Sequence, residues 1–302
     1  MNTTPDLLKR GLWGVMATPF TGESLAVDER GLRSLIDLYR EAGAQGLVLL
    51  GVFGEGVQLV DAESARIVEI ALEHAPGMRL VLGLPDLTTE TAIARANRLL
   101  AVCGDVRPAL MVQVNTNDVD ELTAHFAAIN EATGAGILVQ DYPLASGVTI
   151  SNDALATVVN ASPFVVGIKA EAPPTAVAIG RLTSLTAVPV FGGLGGLGLL
   201  DELVAGSAGA MTGFSYPEAL VAVVEAFDHD GFTAAREAYL PWMPLVNFEA
   251  QAKVGLAIRK AIFVERGIFD DGAVRPPSQS MPEELHSLLS VQLAAVNESG
   301  VL

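Results

Sequence analysis

Eight short apolar runs, each followed by a helical stripe, constrain the fold of this 302-residue chain more than any other feature. The runs are GLWGVMATPF (11–20), GLVLL (46–50), RLVLGL (79–84) and PALMVQV (108–114), then GILVQDY (136–142), FVVGIK (164–169), VPVFGG (188–193) and AGAMTGF (208–214). None shows the polar alternation of a half-solvated strand, so each reads as a strand covered on both faces. Between them lie helices. Leu32, Leu35, Ile36 and Tyr39 form a 3.6-residue stripe that stops at Gly43. Asp61 reads as the cap of the next helix, with Glu63 near its positive end. Leu122, His125, Phe126 and Ile129 repeat the stripe, Ser151 or Asn152 caps another helix, and Pro173-Pro174-Thr175 opens one more. Eight such units predict an α/β fold, a (β/α)8 TIM barrel, over residues 10 to about 227. On pattern alone a doubly wound open sheet competes. From 228 the strands stop, and 232–246, 249–266 and 282–296 read as helices separated by Gly267, Gly272 and Pro276-Pro277. The expected organisation is therefore a barrel carrying the active site over 1–227 and a C-terminal helical appendage over 228–302.

Charge limits what such a barrel can bind. Eighteen Lys+Arg against 35 Asp+Glu leave a net charge of −17, which repels nucleic acid and anionic membranes. An anionic ligand would need local donors, either backbone N–H groups or one well-placed cation. Only four of the 18 basic residues are lysines, at 9, 169, 253 and 260, so each stands out. No apolar run reaches the roughly 20 residues of a membrane span, and the start MNTTPDLLKRGLWG lacks a signal peptide's apolar stretch and cleavage site. A soluble cytoplasmic protein is expected. The single cysteine, Cys103, excludes an internal disulfide and a cysteine-based metal cluster. His74, His125, His229 and His286 show no ligand spacing, so neither a metal nor a cofactor is expected. His125, on an apolar stripe, reads as a core or interface residue.

Barrel chemistry belongs at the C-terminal ends of strands. There Lys169 closes the run Phe164–Ile168, where the barrel interior meets its mouth. Desolvation at such a point favours the neutral amine, which attacks carbonyls. The competing reading is a lysine that reaches solvent or pairs with Glu171. The turn Gly51–Gly56 could bring backbone N–H groups to a carboxylate, or could simply be tight. The glycines at 192–196 lack the Lys-Ser/Thr of a phosphate loop and the spacing of a dinucleotide fingerprint. They read as packing space near the mouth.

Taken together, Thr18-Pro19-Phe20, GLVLLGVFGE (46–55), Pro143, VVGIK (165–169), Gly192-Gly193 and Arg275-Pro276 resemble the dihydrodipicolinate synthase / N-acetylneuraminate lyase family of class I (Schiff-base) aldolases. They fall in family order over nearly the whole chain. The resemblance puts Lys169, 26 residues after Pro143, at the family's Schiff-base lysine. It also implies a 2-oxo acid as small-molecule partner and a homodimer or homotetramer. Elsewhere the sequence departs from the pattern. Val52 and Phe53 replace the turn's two hydroxyl residues, keeping the N–H cradle and losing the hydroxyls. Gln140 stands at the family's tyrosine, and Asn115 or Thr116 at the tyrosine lent by a neighbouring subunit. Ala145 replaces the arginine that holds the synthases' semialdehyde.

The expected chemistry is a metal-free Schiff-base lyase of aldolase or dehydratase type, acting on pyruvate or a related 2-oxo acid, and not an authentic dihydrodipicolinate synthase. Lys169, Glu171, Tyr142 and Gln140 form the expected catalytic set, with Glu171 or Tyr142 moving protons and Asp141 a more distant candidate. The bland alternative for Glu171 is a helix-start carboxylate. Val52, Phe53 and Gly193 are expected on the substrate. Apolar Val52, Phe53 and Leu144 suggest a second substrate less polar than a sugar acid. The rival is a degenerate barrel that binds a keto acid, or acts structurally, without turnover.

Overall fold

The computed structural model describes residues 6–298 and 300; residues 1–5, where the N-terminal segment begins, and residues 299 and 301–302 of the expected C-terminal region lie outside the described residues. Eight parallel strands form the sheet: β1 (Gly11–Val15), β2 (Gly46–Leu49), β3 (Arg79–Leu84), β4 (Ala109–Gln113), β5 (Ile137–Asp141), β6 (Val165–Ala170), β7 (Val190–Phe191) and β8 (Gly209–Thr212). Their order is β8-β1-β2-β3-β4-β5-β6-β7. The ring closes at its weakest point through a parallel bridge between Gly192 and Ala210. Met211 N–H donates to the Gly192 carbonyl there at 2.8 Å. This is a (β/α)8 barrel, and the open-sheet alternative falls with that closure.

Helices follow the strands in turn: α1 (Glu29–Glu41), α2 (Asp61–His74), α3 (Thr89–Ala101), α4 (Val119–Thr133), α5 (Asn152–Asn160), α6 (Thr175–Leu185), α7 (Leu199–Val204) and α8 (Pro217–Tyr239). Three further helices close the chain, α9 (Met243–Glu249), α10 (Gly255–Glu265) and α11 (Glu284–Glu298). Strand alternation sorts the core into two clusters. Trp13, Val15, Val48, Val81, Met111, Leu138, Val166, Phe191 and Met211 fill the barrel. Their neighbours Leu12, Leu47, Leu82, Val112, Val139 and Ile168 pack outward on the helices.

The differences from the sequence pattern have local causes. Strand β1 ends at Val15, not Phe20; Phe20–Thr21 instead pairs antiparallel with Ala26–Val27 as a small hairpin. Residues 16–20 are apolar because they are covered, not because they extend the barrel. Phe20 is fully buried beneath the Lys260 ammonium and the Arg275 guanidinium, each 4.3 Å from its ring centre. Helix α2 is capped at Val60 and has Asp61 as its first residue, while α6 begins only after Pro174. The helix expected at 232–246 instead continues α8, which is broken at Gly231 (φ 79°) and ends at Tyr239. Pro241, lacking an N–H, stops it there. The stretch 249–266 likewise divides, with Lys253 at φ 71° before α10.

The C-terminal helices are pinned over the barrel mouth by buried ions. Glu55, in the turn after β2, pairs with Lys260 of α10 and accepts the Arg275 backbone N–H at 2.7 Å. The Arg275 guanidinium makes a forked pair with Glu63 at 2.8 and 2.6 Å. This accounts for Lys260: burial disfavours its charged form and Glu55 opposes that.

Candidate active site

Lys169 faces the barrel interior because β6 is irregular. Strict alternation would send Val166 and Lys169, three positions apart, to opposite faces. The β5–β6 register shifts between Ile137 and Leu138, and past that shift Gln140 pairs with Lys169. Val166 stays inside, Ile168 packs outward, and Lys169 lines a cavity of about 560 Å³ at the barrel mouth. A larger hollow of about 730 Å³ lies at the opposite, N-terminal end, away from these residues.

The lysine is not bare. Its Nζ lies 3.2 Å from Glu171 Oε2, and both side chains are buried. The Gln140 amide donates to the same Glu171 oxygen at 2.8 Å. Glu171 N–H donates to the Asp141 carbonyl at 2.9 Å, which anchors its backbone to the end of β5. Helix α6 opens four residues later, at Thr175. Glu171 thus belongs to the mouth rather than to a helix start. Tyr142 lines the same cavity, and its hydroxyl makes no hydrogen bond among the described residues. Burial pushes its phenol up, with Glu171 adding to the effect and Arg259 opposing it.

On the β2 side, the N–H groups of Val52 and Phe53 donate to no atom of the described residues, although the turn is held by Glu55 N–H to the Val52 carbonyl at 3.1 Å. Two free, adjacent amides can take a carboxylate. Thr18 steadies the turn by donating to the Gly54 carbonyl at 2.6 Å. Gly193 is not on the cavity wall. It stands behind Glu171, where a Cβ would collide with the carboxylate. Asn115 donates to the Leu87 carbonyl at 2.9 Å, Thr116 donates to Glu121 at 3.2 Å, and neither lines the cavity. His125 and Cys103 are buried; the His125 ring meets the Thr89 hydroxyl at 2.7 Å. Among the described residues, no group of three or more His, Cys, Asp or Glu is arranged to hold a metal ion, and no helix is long and apolar enough to cross a membrane.

Three charged groups were hidden from the sequence pattern. Arg259 and Glu249 enter the cavity from α10 and α9, joined at 2.8 Å. Both sit within apolar helical stretches, and only their burial distinguishes them from a solvated face. Glu202 is fully buried behind Glu171, accepts the Thr175 hydroxyl at 2.6 Å and leaves Oε2 without a partner. Burial raises its carboxyl to about 7, the Thr175 hydrogen bond opposing and Glu171 reinforcing the rise. Burial and Glu171 likewise raise Asp141 to about 6.

These shifts make stability fall with pH. The folded state holds the Glu202 proton above the ordinary value of 4.5, so the associated stability is complete below that pH and is lost on rising towards 7. Glu202→Gln keeps an acceptor for Thr175 and removes the ionisation. By urea unfolding the variant should gain on the order of 1–3 kcal/mol over the parent at pH 8 and little at pH 4. An equal difference at both pH values would refute the assignment.

A buried lysine at the end of β6, beside a carboxylate and an open cavity, defines a lysine-bearing (β/α)8 barrel. The dihydrodipicolinate synthetase family model matches residues 8–296, and the chain belongs to that family. It is 30% identical over 297 residues, 95% of this chain and 93% of the other, to L-2-keto-3-deoxyarabonate dehydratase of Azospirillum brasilense. It is 24% identical to 4-hydroxy-tetrahydrodipicolinate synthase of Methanopyrus kandleri, with 94% and 95% of the two chains covered. Dihydrodipicolinate synthase from Rhodopseudomonas palustris superposes with a TM-score of 0.87 at 26% identity, over 96% of this chain and all of that one.

Proposed function

We propose that the protein is a Schiff-base-forming lyase, of dehydratase or aldolase type, acting on pyruvate or a related 2-oxo acid. One observation carries this reading: the buried Lys169 amine opens onto the cavity, 3.2 Å from Glu171. The free, adjacent Val52 and Phe53 N–H groups on the same cavity supply a backbone anchor for the keto-acid carboxylate. The neutral amine attacks C2 of the keto acid; the carbinolamine loses its oxygen as water and leaves a protonated imine. Glu171 takes a proton from C3, and the electron pair flows to nitrogen, forming an enamine. With a hydroxyl on C4, those electrons return through C3, break the C4–O bond, and the hydroxyl leaves as water with a proton from Glu171 or Tyr142. Water then hydrolyses the imine and restores the amine.

The Azospirillum dehydratase, similar over nearly the full length, supports dehydration over condensation. So does Ala145, at the position from which the synthases' arginine would reach a semialdehyde. A homodimer or homotetramer is part of this reading. The test is exchange of pyruvate methyl protons with deuterated water, followed by proton NMR. The enzyme should remove the methyl signal, and borohydride treatment with pyruvate should abolish that activity. Trapping of pyruvate without any exchange would instead establish the degenerate binder.

A further inference from the structure

The wall of the cavity formed by the C-terminal helices carries a second recognition element. Arg259 is only 9% exposed, yet it lines the same cavity as Lys169. Its Nε is committed to Glu249 Oε2 at 2.8 Å, while Glu249 Oε1 accepts the Ser215 hydroxyl. The ion pair therefore fixes the guanidinium and leaves its outer edge free: neither Nη1 nor Nη2 makes a hydrogen bond among the described residues. The guanidinium carbon lies 5.0 Å from the centre of the Phe53 ring, within cation–π range. Gly195 leaves room for it, because a Cβ there would collide with Nη2. Lys253, just before α10, lines the cavity as well. Two of the chain's four lysines and one buried arginine thus converge on one hollow in a protein of net charge −17.

From this geometry we infer that Arg259 binds a second anionic group, a carboxylate at the far end of a 2-oxo acid whose C2 is held by Lys169. The inference rests on the Schiff-base reading and narrows it to dianionic substrates, against the sequence-level suggestion of a second substrate of low polarity. A fixed guanidinium edge with two parallel N–H donors matches a carboxylate. The C1 carboxylate already has the Val52 and Phe53 amides.

The experiment is borohydride trapping of the unmodified protein with 2-oxoglutarate and with 5-methyl-2-oxohexanoate, whose branched end copies the carboxylate in shape without charge. Half-saturation should favour 2-oxoglutarate by roughly 10- to 100-fold, the worth of a charge-assisted hydrogen-bond pair. In the double variant Arg259→Gln/Glu249→Gln, which leaves no unpaired buried charge, that ratio should fall to about one. Equal half-saturation for the two acids in the parent protein would overturn the inference without any variant. So would a double variant that keeps the ratio, or one in which half-saturation by pyruvate rises as much as that by 2-oxoglutarate. The last outcome would assign Arg259 to the C1 carboxylate. Failure to trap any acid, pyruvate included, would overturn the Schiff-base reading and this inference with it.

Discussion

Lys169→Ala should abolish borohydride-dependent modification by pyruvate and lower turnover by on the order of 10⁴-fold or more, since the covalent step has no other route. The experiment is demanding because the cavity holds a second lysine. Lys253 is exposed and lies on the same hollow, so an imine could form there at high pyruvate. Peptide mapping separates the two: in the parent protein the reduced adduct should sit on the peptide containing Lys169. Lys253→Ala should leave that adduct in place. Burial is what distinguishes the amines. Lys253 is exposed, whereas the Lys169 side chain is buried beside Glu171 with the cavity in front of it. An adduct that survives in Lys169→Ala, or maps to Lys253, would remove the basis for the proposed function while leaving the fold untouched.

The sequence made the barrel legible because short, continuously apolar runs and period-3.6 stripes alternate across eight units, and a strand buried on both faces leaves few alternatives. It misled where burial came from something other than the sheet. Residues 16–20 are as apolar as a strand because Phe20 lies under Lys260 and Arg275, partners more than two hundred positions away. The convergence of the candidate site was legible where chemistry and strand position coincide: Lys169, Gln140, Glu171 and Tyr142 all line one cavity. It was illegible where a charge lies inside a helical stripe. In LAIRKAIF nothing in the pattern tells that Arg259 and Lys260 are both buried, each against a carboxylate from another element. Gly193 shows a subtler limit: its neighbour in space, Glu171, comes from a different strand end. The spacing rule that reads 192–196 as packing space does not say which side chain the glycine makes room for.

Glu171→Gln should separate imine formation from the proton transfer that follows. The substituted amide keeps an oxygen for the Gln140 donor, so the 2.8 Å tether between the two strand ends can persist. What it loses is the ability to accept a proton from C3. Exchange of pyruvate methyl protons should therefore slow by roughly 10²–10⁴-fold, while trapping by borohydride remains. The Lys169 amine, which forms the imine, is untouched by the substitution, so trapping at neutral pH should hold. A further signature follows from the neighbours. Glu171 contributes to the raised values of Asp141, about 6, and Glu202, about 7. With its charge gone, both carboxyls should move down towards their ordinary range, and the loss of stability between pH 4 and 7 should shrink. Exchange within about threefold of the parent would show that Glu171 is not the base. The free Tyr142 hydroxyl in the same cavity would then be the group to replace, by Tyr142→Phe, with the same pair of measurements distinguishing capture of the ketone from movement of its proton.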